Sequence, residues 1–373
     1  MSTINNQQLK EEIRKCPDLN FIASVITPWH TLGVEASLLW LQDNGFKPNG
    51  ICLVTSHYTY GFVCDESIFT NTSSKKFRIL PGGKTKSEKI KDKIFLYKFI
   101  FHNRKRQRDE QPFYIISTKC NTNIASYAYK LLPLRHIVYV NMEEGVGAYL
   151  DTVNPIIPKI TSLKTFLKYL NVKNNILLNK YVVKHHDVIN NSLFIVEKDE
   201  RLIKNERILP YYAEAIRIKA AKVVDPSDSI ELGSTIIICT TAWERRQIQD
   251  DEDMRVLRIV CDYLYEKGYK IVLKPHPRDS FFADKAEELH AGILGFSYPM
   301  ESICALSRPK AIVSFSSTIL VTGKLFWNIP GFCLSEMLDK SKISPFYLKE
   351  TGNFHKVFSE YVAFPKSVEE IIL

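Results

Sequence analysis

Three short segments hold residues that could act together on a phosphate ester: Glu143-Glu144-Gly145, Lys274-Pro275-His276-Pro277 and Ser314-Phe315-Ser316-Ser317-Thr318. Two adjacent carboxylates followed by Gly145 and Gly147 sit where the backbone turns tightly. Mutual repulsion makes one of them hold a proton more readily, as a general base near neutral pH requires. An exposed acidic turn reads the same way on the doublet alone. His276, stiffened by a proline on each side, is placed to hydrogen-bond a phosphate or protonate a leaving group, and Lys274 adds positive field. Ser316, Ser317 and Thr318 can present hydroxyls and backbone N–H groups to an anion at a strand-to-helix junction, a role compatible with ordinary helix capping. A fourth segment, Tyr298-Pro299-Met300-Glu301, offers a carboxylate that can accept both hydroxyls of a ribose. Together these groups suit displacement of a nucleotide by a hydroxyl.

The elements that must position them follow from the hydrophobic pattern. Asn20 to Ile26 reads as a buried strand ending at Thr27-Pro28-Trp29-His30. A helix follows, with Leu32, Ala36, Leu39 and Trp40 facing inward, and closes at Asn44-Gly45. Gly50 to Thr55, Phe113 to Ser117 and His136 to Val140 read as further parallel strands, and Ser192 to Glu197 as one more. The charged segment Asp199 to Ser234, with Pro210 and Pro226, reads as a connection between domains. The pattern then restarts: strand Thr235 to Thr240, helix near Asp253 to Lys267, strands Lys270 to Lys274 and Ala311 to Phe315, helix Thr318 to Phe326, and a strand near Gly331 to Leu334. This predicts an α/β protein of two Rossmann-like domains, residues 1–215 and 216–373, facing a central cleft, with the last segment packing back on the first domain. All three motifs fall at strand ends, where open α/β sheets bind ligands.

Composition narrows the function. The 373 residues, 45% apolar and 24% charged, suffice for two ordinary cores. The polar start and the lack of a long apolar run predict a cytoplasmic protein. The eight cysteines are scattered singly, without zinc-site spacing. No Walker loop, dinucleotide glycine fingerprint or well-placed Asp-x-Asp pair is evident, which points away from magnesium-dependent transfer and predicts no cofactor and no metal. The net charge of +9 is concentrated between Lys75 and Arg108, where 13 Lys and Arg face only Glu88 and Asp92. Nucleic-acid signatures are lacking there, so the expected partner is an anionic glycan or the anionic inner face of a membrane, with a solvated surface the plain alternative. Ile160, Leu163, Phe166, Leu167 and Leu170 make an apolar stripe with lysines off it, a pattern of membrane-surface and core-facing helices alike.

On these residues the chain resembles the bacterial sialyltransferases of the GT-B fold, including the capsular polysialyltransferases and the lipooligosaccharide sialyltransferases. Their acidic-acidic-Gly, His-Pro and Ser/Thr-pair motifs match Glu143-Glu144-Gly145, His276-Pro277 and Ser316-Ser317, and Glu143 to Tyr149 is especially similar to the polysialyltransferase version. The resemblance implies a CMP-sialic acid donor, inversion at the anomeric carbon and a galactose-terminated or anionic glycan acceptor. Glu143 or Glu144, with Glu143 preferred, would deprotonate the acceptor. His276, Ser316 and Ser317 would stabilise the departing CMP phosphate, Glu301 would hold the ribose, and Lys274, Pro277, Thr318 and Thr240 would complete the donor side. Thr27, Trp29 and His30 would line the acceptor side, and Arg104, Lys105 and Arg106 would follow a polyanionic acceptor. Two other readings of the same residues are a CDP-glycerol-type polyol-phosphate transferase and a non-catalytic protein that binds polyanionic glycans.

Overall fold

In the computed structural model the described residues are 20–25, 28–54, 77–81, 112–117, 137–142, 162, 166, 187–191, 208–223, 233–240, 245–276, 281–294 and 300–373. They form two parallel sheets in two compact units that part between Ala215 and Ile216.

The first unit is built on strands β1 (Phe21–Val25), β2 (Gly50–Val54), β3 (Phe77–Pro81), β4 (Phe113–Ser117), β5 (Ile137–Met142) and β6 (Asp187–Asn191), in the order β3-β2-β1-β4-β5-β6. This is the doubly wound order, reversing direction between β1 and β4. Phe21, Ala23 and Val25 alternate onto one face of β1 and pack with Val34, Leu38 and Leu41 of helix α1 (Pro28–Asp43). Of the expected inward residues Leu32 and Ala36 are buried and Trp40 packs, partly buried, on this core; burial is wider than one stripe, since every residue from His30 to Leu38 is buried. Asn44-Gly45 does end the helix, with Gly45 at φ 85.

One expectation between the units is corrected. The segment expected to be a connection contains a 16-residue helix, α2 (Ile208–Val223). Pro210 lies in its first turn, where backbone N–H groups have no intrahelical partner to lose. β6 was not among the expected strands, and the strand expected at residues 192–197 lies outside the described residues.

The second unit has β7 (Thr235–Thr240), β8 (Lys270–Pro275), β9 (Ala291–Ile293), β10 (Ala311–Ser314) and β11 (Gly331–Cys333), ordered β11-β10-β7-β8-β9. All six residues of β7 are buried, as in a central parallel strand covered on both faces. One face carries Ile236, Ile238, Ile271, Leu273, Ala311 and Val313, packed on Met254, Leu257, Cys261 and Leu264 of helix α3 (Glu252–Glu266). Helices α4 (Met300–Leu306), α5 (Thr318–Trp327) and α6 (Pro345–Phe358) complete the unit. A Cβ on Gly331 would come 2.8 Å from the Leu320 carbonyl oxygen, so only glycine lets β11 approach α5 so closely. Ala363 extends that edge, donating to the Gly331 carbonyl and accepting from the Cys333 N–H.

Candidate active site

The carboxyl ends of β8, β7 and β10 lie side by side in the second unit. Pro275 pairs with Thr240, and the next N–H, that of His276, donates to the Thr240 carbonyl at 3.0 Å. The ladder therefore continues one residue beyond the strand and fixes the backbone of His276, whose side chain stands exposed at the sheet's end. Thr240 itself is buried.

On the other side of β7, β10 delivers the serines. The Phe315 carbonyl accepts a hydrogen bond from the Cys333 thiol at 2.7 Å, which anchors the chain just before Ser316. Ser317 is the N-cap of α5, in extended conformation (φ −87, ψ 143), yet its hydroxyl makes no bond to the helix it caps. Ser316, Ser317 and Thr318 are all partly exposed. A hydroxyl outside the capping bond, above a helix N-terminus, is well placed for an anion. Because β7 is the one strand between them, the ends of β8 and β10 lie about 10 Å apart, close enough for side chains from both to meet one ligand.

Behind this rim runs a polar row. Alternation turns Ile271, Leu273, Ile238 and Val313 toward α3, so Lys274, its register partner Cys239, and Ser314 in the next strand turn to the opposite face. The Lys274 side chain is buried, and among the described residues it makes no ion pair within 4.0 Å. Burial depresses its pKa, while Cys239 and Glu301 act in the other direction. Glu301 opens α4 in the first turn, as expected, and reaches this face. Burial pushes its carboxyl pKa up, opposed by a backbone hydrogen bond and by the charges of Lys219 and Lys274. Cys304, one turn along, is raised well above the ordinary thiol range by burial and then by Glu301 and Cys239. Ser314 Oγ is buried without a hydrogen-bond partner. Among the described residues no carboxylate lies within 4.0 Å of the Lys274 ammonium, His276 is exposed and the Ser317 hydroxyl makes no capping bond, a set of groups able to bind an anion.

Sequence reading named Lys274, His276, Glu301 and the segment Ser314 to Thr318 as candidates; Lys219 and Cys239, which act on Glu301 and Lys274, were not named. The strand alternation signalled Cys239, since it lies off the apolar face of its strand. Nothing in the local sequence placed Lys219 near Glu301. The literal pair Asp251 and Asp253 is committed elsewhere, with both carboxylates bound to Arg245. Among the described residues no group of three or more His, Cys, Asp or Glu is placed to hold a metal ion.

Glu143, Glu144, Pro277, Thr27, Arg104, Lys105 and Arg106 lie outside the described residues. Trp29 and His30 do not end a strand; they belong to the first turn of α1. His30 is buried, and the Trp29 ring stacks on Tyr212 of α2, with centroids 5.7 Å apart and planes 27° apart. The Trp29 indole N–H is buried with no hydrogen-bond partner.

The family model for alpha-2,8-polysialyltransferase (POLYST) matches residues 21–336, which contain every strand of both sheets. The chain belongs to the alpha-2,8-polysialyltransferase family. It is thus a glycosyltransferase, and membership implies a nucleotide-sugar donor and a glycan acceptor. Among solved structures it is similar to an alpha/beta-galactoside alpha-2,3-sialyltransferase from Photobacterium phosphoreum, at 12% identity and TM-score 0.50, covering 94% of this chain and 98% of that one. A sialyltransferase from Photobacterium damsela matches at 10% identity and TM-score 0.50, covering 93% and 81%. A UDP-GlcNAc 2-epimerase from Methanocaldococcus jannaschii matches at 12% identity and TM-score 0.49, covering 95% and 98%. The two likenesses at TM-score 0.50 speak for the GT-B fold and not for the reaction. No curated protein matches the sequence. No helix among the described residues is long and apolar enough to cross a membrane.

Proposed function

We propose that this polysialyltransferase-family protein moves sialic acid from CMP-sialic acid to a glycan hydroxyl, with inversion and without a metal, in the synthesis of a bacterial capsule or lipooligosaccharide. The observation that carries the reading is Lys274, a buried cation with no ion pair within 4.0 Å among the described residues, next in sequence but one to His276. A charge held this way is costly unless a ligand anion completes it. A single phosphate meets that need with one cation, one imidazole and hydroxyls from the serine turn, which suits a nucleoside monophosphate leaving group.

In this mechanism the CMP phosphate lies across the ends of β8 and β10. His276 hydrogen-bonds or protonates it as the glycosidic C–O bond breaks, and Ser316, Ser317 and the first turn of α5 hold its oxygens. Glu301 holds the ribose hydroxyls, with Thr240, Pro277 and Thr318 beside the donor. Glu143, or its neighbour Glu144, takes the proton from the acceptor oxygen that attacks the anomeric carbon. The transition state is oxocarbenium-like, so stabilising the leaving phosphate matters most. Trp29, His30 and Thr27 serve the acceptor, and the basic residues Arg104, Lys105 and Arg106 follow a polyanionic one. The enzyme works in the cytoplasm, on the inner face of the membrane.

The test is His276→Ala, assayed for transfer from CMP-sialic acid in EDTA. Turnover should fall by about two to four orders of magnitude with the fold intact, the range for loss of a proton donor or leaving-group contact. Wild-type turnover should persist in EDTA. A folded variant with near-normal turnover removes His276 from the mechanism, and loss in EDTA restored by magnesium contradicts the metal-free step.

A further inference from the structure

The serine turn is supported from β11, the strand on the side of β10 away from β7. Alternation along β11 and the residue after it sends Phe332 and Leu334 into the core shared with α3, so Gly331 and Cys333 stand on the opposite face. Both meet the chain that carries Ser316 and Ser317. Gly331 lies against the Leu320 backbone, where a Cβ would come 2.8 Å from the carbonyl oxygen, and the Leu320 N–H in turn donates to the Ser317 carbonyl at 3.1 Å. Two residues on, the Cys333 thiol donates to the Phe315 carbonyl at 2.7 Å. The turn is thus held from one strand at both ends, by the cysteine before it and the glycine after it.

The thiol contact is more than packing. A thiol has one proton and a carbonyl can only accept, so that proton lies between Cys333 Sγ and the Phe315 oxygen. The Ser335 hydroxyl, 3.2 Å from the same sulfur, is then the donor to it. Ser335, Cys333 and Phe315 form a short relay in which each hydrogen bond polarises the next. All three residues are buried, where water competes little for the carbonyl. Cys333 is itself fixed by its own N–H, which donates to the Ala363 carbonyl at 2.8 Å, and by its register with Ser314.

The accepting carbonyl belongs to the peptide that joins Phe315 to Ser316. That peptide is planar and trans, so its oxygen and the Ser316 N–H point opposite ways. With the Phe315 side chain packed in the core, the freedom left at the start of the turn is rotation of this plane, and the thiol removes it. Pinning the oxygen fixes both the direction of the N–H and the angle at which Ser316 leaves the sheet.

We propose that Cys333 is a positioning residue whose thiol locks the Phe315–Ser316 peptide and so aims the serine turn at the donor phosphate. Its effect on turnover rests on the sialyl-transfer reading, whereas the lock itself does not.

The informative pair is Cys333→Ala, which removes the donor, and Cys333→Ser, which keeps one on a smaller atom. Cys261→Ala, at another fully buried thiol that packs in the core, is the control. The lock is read from the infrared S–H stretch, assigned by the difference between wild type and Cys333→Ser; it should lie below that of an alkanethiol in hydrocarbon. In transfer from CMP-sialic acid, Cys333→Ala should lose about tenfold in kcat, short of the roughly hundredfold loss that a 1 Å misplacement brings. Cys333→Ser should stay within about threefold of wild type. Cys261→Ala should melt lower with kcat unchanged. If Cys333→Ala does not fold, Ser335→Ala takes its place, with the band moving toward the free value and kcat falling about threefold.

A Cys333 band at the free-thiol frequency overturns the lock. Wild-type kcat in folded Cys333→Ala, or in Ser335→Ala where that variant is used, overturns the positioning role. So do equal losses in the Ala and Ser variants of Cys333 that follow their melting temperatures, the result a merely structural cysteine would give. If wild-type enzyme transfers nothing from CMP-sialic acid, the functional reading fails and the effect on kcat with it, while the band still decides the lock.

Discussion

Replacing Lys274 by Met should make the protein more stable and a worse binder of its donor, and those opposite signs make the change diagnostic. The lysine stem is buried and its ammonium group has no ion pair within 4.0 Å among the described residues. Methionine fills much the same volume and removes the desolvated charge, so it should gain about 1 kcal/mol in stability. In a unit of this size that raises the melting temperature by about 2–4 °C. The depressed pKa fixes the pH dependence. Below the folded pKa the lysine is charged in both states and its burial penalty is complete. As pH rises from the folded pKa toward the ordinary value of 10.5, the folded state sheds its proton first and wild type recovers stability, so the advantage of Met should be full below the folded pKa and vanish near 10.5. Loss of a charge-assisted contact to phosphate, about 1.5–3 kcal/mol, corresponds to roughly a 10- to 150-fold loss in affinity for CMP. Calorimetric titration with CMP and melting curves across pH read both effects. A variant that melts lower than wild type and binds CMP equally well would refute the reasoning.

Gly331→Ala should destabilise the second unit by about 1–3 kcal/mol, because a Cβ there lies 2.8 Å from the Leu320 carbonyl oxygen and the obstacle is backbone; denaturant unfolding measures it, and an unchanged midpoint would mean that α5 moves aside freely. Glu301→Gln should raise the melting temperature at pH above the raised folded pKa, where wild type carries a carboxylate disfavoured by burial. Its benefit should shrink as pH falls through the raised folded pKa toward 4.5, because wild type then protonates in the folded state first. Replacing Arg104, Lys105 and Arg106 together by Ala should weaken binding of long sialylated acceptors and flatten its salt dependence, with short neutral acceptors barely affected; equal losses on both would assign the cluster to the fold or donor site.

The legibility of the second unit came from its strands. Thr235 to Thr240 and Ala311 to Ser314 are unbroken apolar runs bounded by polar turns, so their position and the motifs at their ends could be read directly. Lys274, His276, Glu301 and Ser317 were visible because strand ends and helix starts are local features. What stayed hidden depended on tertiary contact. The strand Phe77–Pro81 sits within the basic stretch, where Arg78 and Pro81 conceal it, and Ala291–Ile293 is only three residues long. α2 was hidden by Pro210, which is harmless in a first turn. Lys219 comes near Glu301, and Arg245 lies over Phe281, only because the chain folds back over many residues.

The most direct test of the central claim is to incubate the purified protein with a panel of CMP-activated sugars and CDP-glycerol, each with galactosylated and sialylated acceptors, and to weigh the products. The account predicts release of CMP and an acceptor heavier by one or more sialic acid residues, with CMP-sialic acid and with no other donor. Transfer of glycerol phosphate from CDP-glycerol, or glycan binding without CMP release from any donor, would contradict it.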